Sequence, residues 1–156
     1  MVREAFRQED RQRWMGVLAR SSAAAIGGCL AALPPLPAHV RLRGPETGLV
    51  MVRGRQGGDG APFNLGEMTV TRCSVRVEAG PAAGRVGHAY VAGRDARQAE
   101  LAALLDAALQ DPSWREAVET HVIAPLAAAQ AEAAARDARK AAATRVQFFT
   151  MAAMRS

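Results

Sequence analysis

Aromatic side chains and lysine are scarce in this sequence. The aromatics number seven, namely Phe6, Trp14, Phe63, Tyr90, Trp114, Phe148 and Phe149, and Lys140 is the only lysine. A core built from Ala, Val and Leu gains less apolar burial per residue than an aromatic one, so part of the stability is expected to come from a partner. Cysteine is nearly missing too. Cys29 and Cys73 form no CxxC pattern, and His39, His88 and His121 are scattered, so no structural zinc site can be read. Two buried free thiols in a reducing compartment are expected instead. No apolar run approaches a membrane span, and MVREAFRQEDRQRW lacks the apolar core of a signal peptide, which makes a cytoplasmic location the expectation.

What is present is a 156-residue chain, 49% hydrophobic, with a net charge of +5 carried almost wholly by arginine. That length suits one domain with a real core. Arginine binds carboxylate or phosphate through a rigid fork, so the enrichment fits phosphate chemistry or ion pairs. For most individual arginines a GC-rich coding bias is the better account. The pI of about 10.5 keeps a nucleic-acid-binding module open as an alternative, although the basic residues are dispersed and no groove-reading motif is present.

Along the chain the period changes twice. Residues from about Gln8 to Leu33 read as helix in two pieces divided near Ser21 and Ser22, with apolar stripes Trp14, Val17, Leu18 and Ile26, Cys29, Leu30, Leu33. The Pro34–Pro37 run ends them. Four strands are then expected: His39 to Arg43, Thr47 to Arg55, Gly66 to Glu78 and Arg85 to Gly93. Leu49-Val50-Met51-Val52 reads as a central strand covered on both faces. In the third strand Cys73, Val75 and Val77 oppose Arg72, Ser74 and Arg76. The short Gly-rich linkers allow only antiparallel hairpins. From Asp95 the pattern is helical again, with Asp95 and Gln98 at capping-box spacing and Leu101, Leu104, Leu105, Ala108 and Leu109 in a stripe. Asp111-Pro112 opens another helix, Pro125 should kink or break it, and an Ala-rich helix runs to about Ala143. The expected class is α+β, a single domain with N-terminal helices, a four-stranded antiparallel meander and C-terminal helices, followed by an apolar tail over 144–156.

The stretch RGRQGGDGAPFNLGEMTVTRCSVRV poses a question about its glycines. A phosphate-binding loop needs a following lysine and a helix. Here a strand follows, so a hairpin loop is the expectation, with a contact role left open by its length. No catalytic constellation appears. Glu46 and Glu67 are not paired as acid and base, the serines sit in no nucleophile elbow, and His88 lies within a strand. A stand-alone enzyme would need a convergent set of titratable groups that the sequence does not supply. The tail residues Phe148, Phe149 and Met151 either fold back on the domain or anchor in another protein.

The segments RQRWMGVLARS, ETGLVMVRGRQGGDGAPFNLGEMTVTRCSVRV, GHAYVAGRD with AELAALLDAALQ, and ATRVQFFTM together resemble the PhnG family, the G subunit of the bacterial phosphonate carbon–phosphorus lyase complex. The resemblance covers most of the chain and is weakest over Ala23 to Val40 and Gln130 to Lys140. It implies a small accessory subunit of a cytoplasmic complex with the I, H and J subunits, the I subunit being the most direct contact and the L protein a further candidate. In the step assigned to that group, a phosphonate oxygen displaces adenine from C1′ of ATP, giving an α-D-ribose 1-alkylphosphonate 5-triphosphate. The resemblance attributes that nucleosidase-type chemistry to the I subunit. It places the iron–sulfur cluster and S-adenosylmethionine of the later C–P cleavage on the J subunit, so this chain is expected to bind no cofactor, metal, membrane or nucleic acid. The residues expected to touch substrate or partner are Arg53, Gly57, Gly58, Thr71 and Arg72. Phe63, Phe148, Phe149 and Met151 are expected at a partner interface.

Overall fold

The computed structural model describes residues 8–146. The chain divides into two units, 1–126 and 127–156. In the first unit, helix α1 (Gln8–Ala19) buries Trp14, Val17 and Leu18. It ends where the Ser21 hydroxyl donates to the Val17 carbonyl and Ser22 takes over as N-cap of α2 (Ala23–Leu30), accepting from the Ala25 amide. Three strands follow, β1 (His39–Arg55), β2 (Pro62–Val77) and β3 (Val86–Ala92), in an antiparallel sheet of order β1-β2-β3.

Three strands stand where four were expected, because His39 to Arg43 and Thr47 to Arg55 are one continuous strand. Gly44-Pro45 reads as a break, yet the ladder resumes beyond it with register shifts between Arg41 and Arg43 and between Arg43 and Glu46. Gly44 takes φ +67°, and a Cβ there would sit 2.6 Å from the Arg72 carbonyl oxygen, so glycine alone fits this bulge. An edge strand also tolerates the missing N–H of Pro45. The Leu49–Val52 run is corrected in the same way. It lies on that edge strand with Leu49, Val50 and Met51 exposed, and is not a central strand covered on both sides.

Helix α3 (Ala96–Leu109) covers one face of the sheet, and the core lies between them. Thr71, Cys73, Val75 and Val77 of β2 and Ala89 and Val91 of β3 are buried there. Gly87 makes the approach possible, since a Cβ at that position would lie 1.9 Å from the Ala103 carbonyl oxygen. Asp95 caps α3 by accepting from the Gln98 amide. The Gln98 side chain does not return the bond as a capping box would. It donates instead to the Leu18 and Ala19 carbonyls, which satisfies the end of α1.

Asp111 caps α4 (Pro112–Val118) with Pro112 in its first turn. The break expected at Pro125 is a π-helical turn, Glu119–Ile123, after which α5 (Ala124–Ala143) continues. The wider turn accommodates a residue with no N–H to give. In the second unit, residues 127–143 of α5 are almost entirely exposed, with an Arg136–Glu132 pair at 3.0 Å one turn apart. Alanine's helix propensity accounts for helical structure with so little burial. Among the described residues no helix is long and apolar enough to cross a membrane.

Candidate functional site

The sheet face turned away from α3 is polar. Arg72, Ser74 and Arg76 lie on it as their alternation with Cys73, Val75 and Val77 requires, and β3 adds His88 opposite Ser74 and Tyr90 opposite Arg72. Arg43 and Arg72 both donate to Oε1 of Glu46, at 2.5 and 2.6 Å. The bonds from Arg43 and then Arg72 hold the Glu46 carboxyl below the usual carboxylate range. Arg72 is pushed further up, first by its hydrogen bond to Tyr90 and then by Glu46. A pocket of about 170 Å³ opens between Glu46, Thr47, Val70, Arg72 and Tyr90. Ligand sites for drug-sized molecules run to about 300–1,000 Å³, so a nucleoside triphosphate does not fit this one. The Ser74 hydroxyl and His88 Nδ1 are 2.8 Å apart, but among the described residues no carboxylate orients the other ring nitrogen. Around Glu46 the face carries an ion-pair lattice.

Thr71 does not share that face with Arg72. It is fully buried, its hydroxyl donates to the Gly93 carbonyl at 2.7 Å, and Thr47 therefore donates to it at 2.9 Å. Arg53, Gly57 and Gly58 are far along the ladder from both. Gly57 and Gly58 have φ of +65° and +90° in the turn joining β1 to β2, so the glycine-rich stretch is the tip of a hairpin. Arg53, Gly58 and Pro62 line an open depression there, and Arg55 donates to the Gly60 carbonyl.

Between tip and core lies the feature the sequence least prepared for. β3 pairs with β2 only from Val70 to Arg76, while β1 and β2 pair as far as Arg55 and Pro62. The remainder is a two-stranded arm with Leu49, Val50, Met51, Phe63, Leu65 and Met68 exposed, Leu49 by 62% and Leu65 by 66%. Leu49 and Met51 point to one side of it, opposite Thr69 and Glu67, and Val50 and Met68 to the other, so each face exposes large apolar side chains. Contiguous exposure of this kind marks a surface that another molecule covers. Phe63 lies in it, whereas Phe148, Phe149 and Met151 fall outside the described residues.

Residues 9–154 match the family described as phosphonate metabolism protein PhnG. The chain belongs to that family. A relative from Rhizobium meliloti (strain 1021), named alpha-D-ribose 1-methylphosphonate 5-triphosphate synthase subunit PhnG, is 44% identical over 142 residues, covering 91% of this chain and 88% of the relative.

Two of the segments that carry the PhnG resemblance meet in the core, at a group that no motif singles out. Asp106 of α3 has no exposed surface, yet it is a carboxylate. Arg11 donates to it through Nε at 3.0 Å and through a terminal nitrogen at 2.6 Å. Trp14 donates its indole N–H at 3.0 Å and His88 its backbone amide at 2.9 Å. A buried charge persists only with such partners. The available signal was an aspartate inside the apolar run AELAALLDAALQ, with Arg11 and Trp14 one turn apart on α1. A second carboxylate, Glu100, ties the base of β1 to α3 by accepting from Arg41 at 2.7 and 2.8 Å and pairing with His39 at 3.2 Å. Both assemblies hold the base of the sheet, and neither reaches the arm.

Proposed function

We propose that this chain is an accessory subunit of an α-D-ribose 1-methylphosphonate 5-triphosphate synthase in the carbon–phosphorus lyase route of phosphonate breakdown. The observation that carries this reading is the 44% identity, over nearly all of both chains, to a subunit of that synthase. The synthase joins a phosphonate oxygen to C1′ of ATP and releases adenine, so ATP and an alkylphosphonate are substrates of the whole assembly. Among the described residues the pocket on the polar face is smaller than a nucleotide, and the arm exposes apolar side chains on both of its sides, which suits a supporting subunit. The I, H and J subunits are its partners, I the most direct, with the L protein joining for the first step. The iron–sulfur cluster and S-adenosylmethionine belong to the J subunit. An assembly that consumes ATP belongs in the cytoplasm.

Against a nucleic-acid module, Arg11, Arg13, Arg41, Arg43, Arg72 and Arg136 each face a carboxylate and are not free for phosphate. The test is reconstitution. Adenine release from ATP and methylphosphonate by the I, H and L proteins should require this chain, and the chain alone should release none. Full activity of the assembly without it would overturn the reading.

A further inference from the structure

The outer edge of β1 has no partner among the described residues, since β1 is the first strand of the sheet. A long bare edge templates pairing with another strand, and native proteins blunt such edges with charge, proline or bulges. The Gly44-Pro45 bulge does this at the base of β1. From Thr47 to Val52 the edge carries no charge, no proline and no register shift until Arg53.

We infer that residues 47–53 of β1 receive an extended strand from a different polypeptide, apolar at its centre and carrying carboxylates where it passes Arg53 and Arg55. This inference rests on the subunit reading above. The side chains of an added strand alternate between the two faces of the sheet. On one face they would lie beside Leu49 and Met51, and on the other beside Val50 and Val52, so both sets are apolar. Charge then sets the identity of the occupant. Arg53 has no carboxylate partner among the described residues, and Arg55 donates to the Gly60 carbonyl. A second copy of this chain, paired about a two-fold axis near Leu49, would bring Arg43 of one copy towards Arg53 of the other and offer it no free carboxylate, because Arg43 and Arg72 already share Glu46. Like charges across a ladder are destabilising, so self-pairing is disfavoured. The chain's own end, TRVQFFTMAAMRS, contains Arg145 and Arg155 and no acid, which is again the wrong sign.

Hydrogen exchange on the full chain, free and assembled with the I, H and J subunits, tests this. Amides within 47–53 should slow at least tenfold on assembly. The double variant Arg53→Glu with Arg55→Glu should bind those subunits at least tenfold more weakly at low salt, with an unchanged circular-dichroism spectrum. An assembly that forms while 47–53 exchanges as in the free chain overturns the inference and leaves the subunit reading intact. Equal binding by the charge-reversed variant overturns it too. Tight self-association abolished by Leu49→Asp would make a second copy the occupant, and protection in the free chain that vanishes on deleting 147–156 would make it the chain's own end. Failure of the wild-type chain to assemble at all would sink the subunit reading and this inference together.

Discussion

From Val70 to Val77, β2 runs beside β1 and under α3, mostly flanked by β3 as well, and its inward side chains are buried. From Pro62 to Met68 the same strand has one neighbour, and every side chain is exposed. Both stretches carry large apolar side chains, Phe63, Leu65 and Met68 in one and Val70, Val75 and Val77 in the other. What differs is cover. At the base, α3 approaches so closely that position 87 must be glycine, and a buried carboxylate binds α1, α3 and β3 together. The arm has none of this, and a two-stranded ribbon on its own is marginally stable in water. The base therefore serves the chain's own stability, and the arm is the surface proposed above for contact with a partner.

The largest effect that would break this comparison is at Asp106. Asp106→Ala leaves the Arg11 guanidinium, the Trp14 indole and the His88 amide without their shared acceptor, and should cost about 3–5 kcal/mol in urea unfolding of the isolated chain. A loss under about 1 kcal/mol would mean that the base is held by packing alone. Gly87→Ala comes next. The added methyl collides with the α3 backbone and forces the helix off the sheet, at about 1–3 kcal/mol, read as a lowered Tm.

The arm should behave in the opposite way. Met51→Ser should move the stability of the free chain by no more than about 0.5 kcal/mol, as exposed substitutions do. In the presence of the I, H and J subunits the same change should weaken co-elution on a sizing column. A large loss of intrinsic stability would show that the arm is covered by its own chain.

The smallest effect concerns pH. Arg41, and to a lesser degree His39, hold the Glu100 carboxyl below its usual range, while partial burial acts the other way. A carboxyl depressed in the folded state contributes stability that is complete above its unfolded value of about 4.3 and lost as pH falls through the folded one. The urea midpoint should thus be insensitive to this group from pH 7 to 5 and decline below about 4.3. Glu100→Gln should flatten that part of the decline.

Much of this was legible in the residues taken one segment at a time. The divide at Ser21 and Ser22, the caps at Asp95 and Asp111 and the buried alternation of Cys73, Val75 and Val77 follow from local rules, because a cap or an alternation involves groups a few residues apart. Gly44-Pro45 misled for the same reason. As a dipeptide it signals a break, and only the pairing partner across the ladder shows that the strand goes on past it. The site fared similarly. Arg72 and Thr71 are neighbours in sequence and face opposite sides of a sheet, and Arg53 with the glycines lies at the far end of a hairpin.

The sequence by itself determined the α+β class, the antiparallel order of the strands, the helix ends and the family. Each of these is written in short-range spacing or in long stretches of matching residues. Only the tertiary structure decided that Asp106 is a buried hub and that Leu49 to Val52 is open to solvent. Burial depends on what the rest of the chain brings alongside. An apolar run covered by its own fold and one that waits for a partner have the same residue types, and differ only in whether a third strand and a helix reach that far.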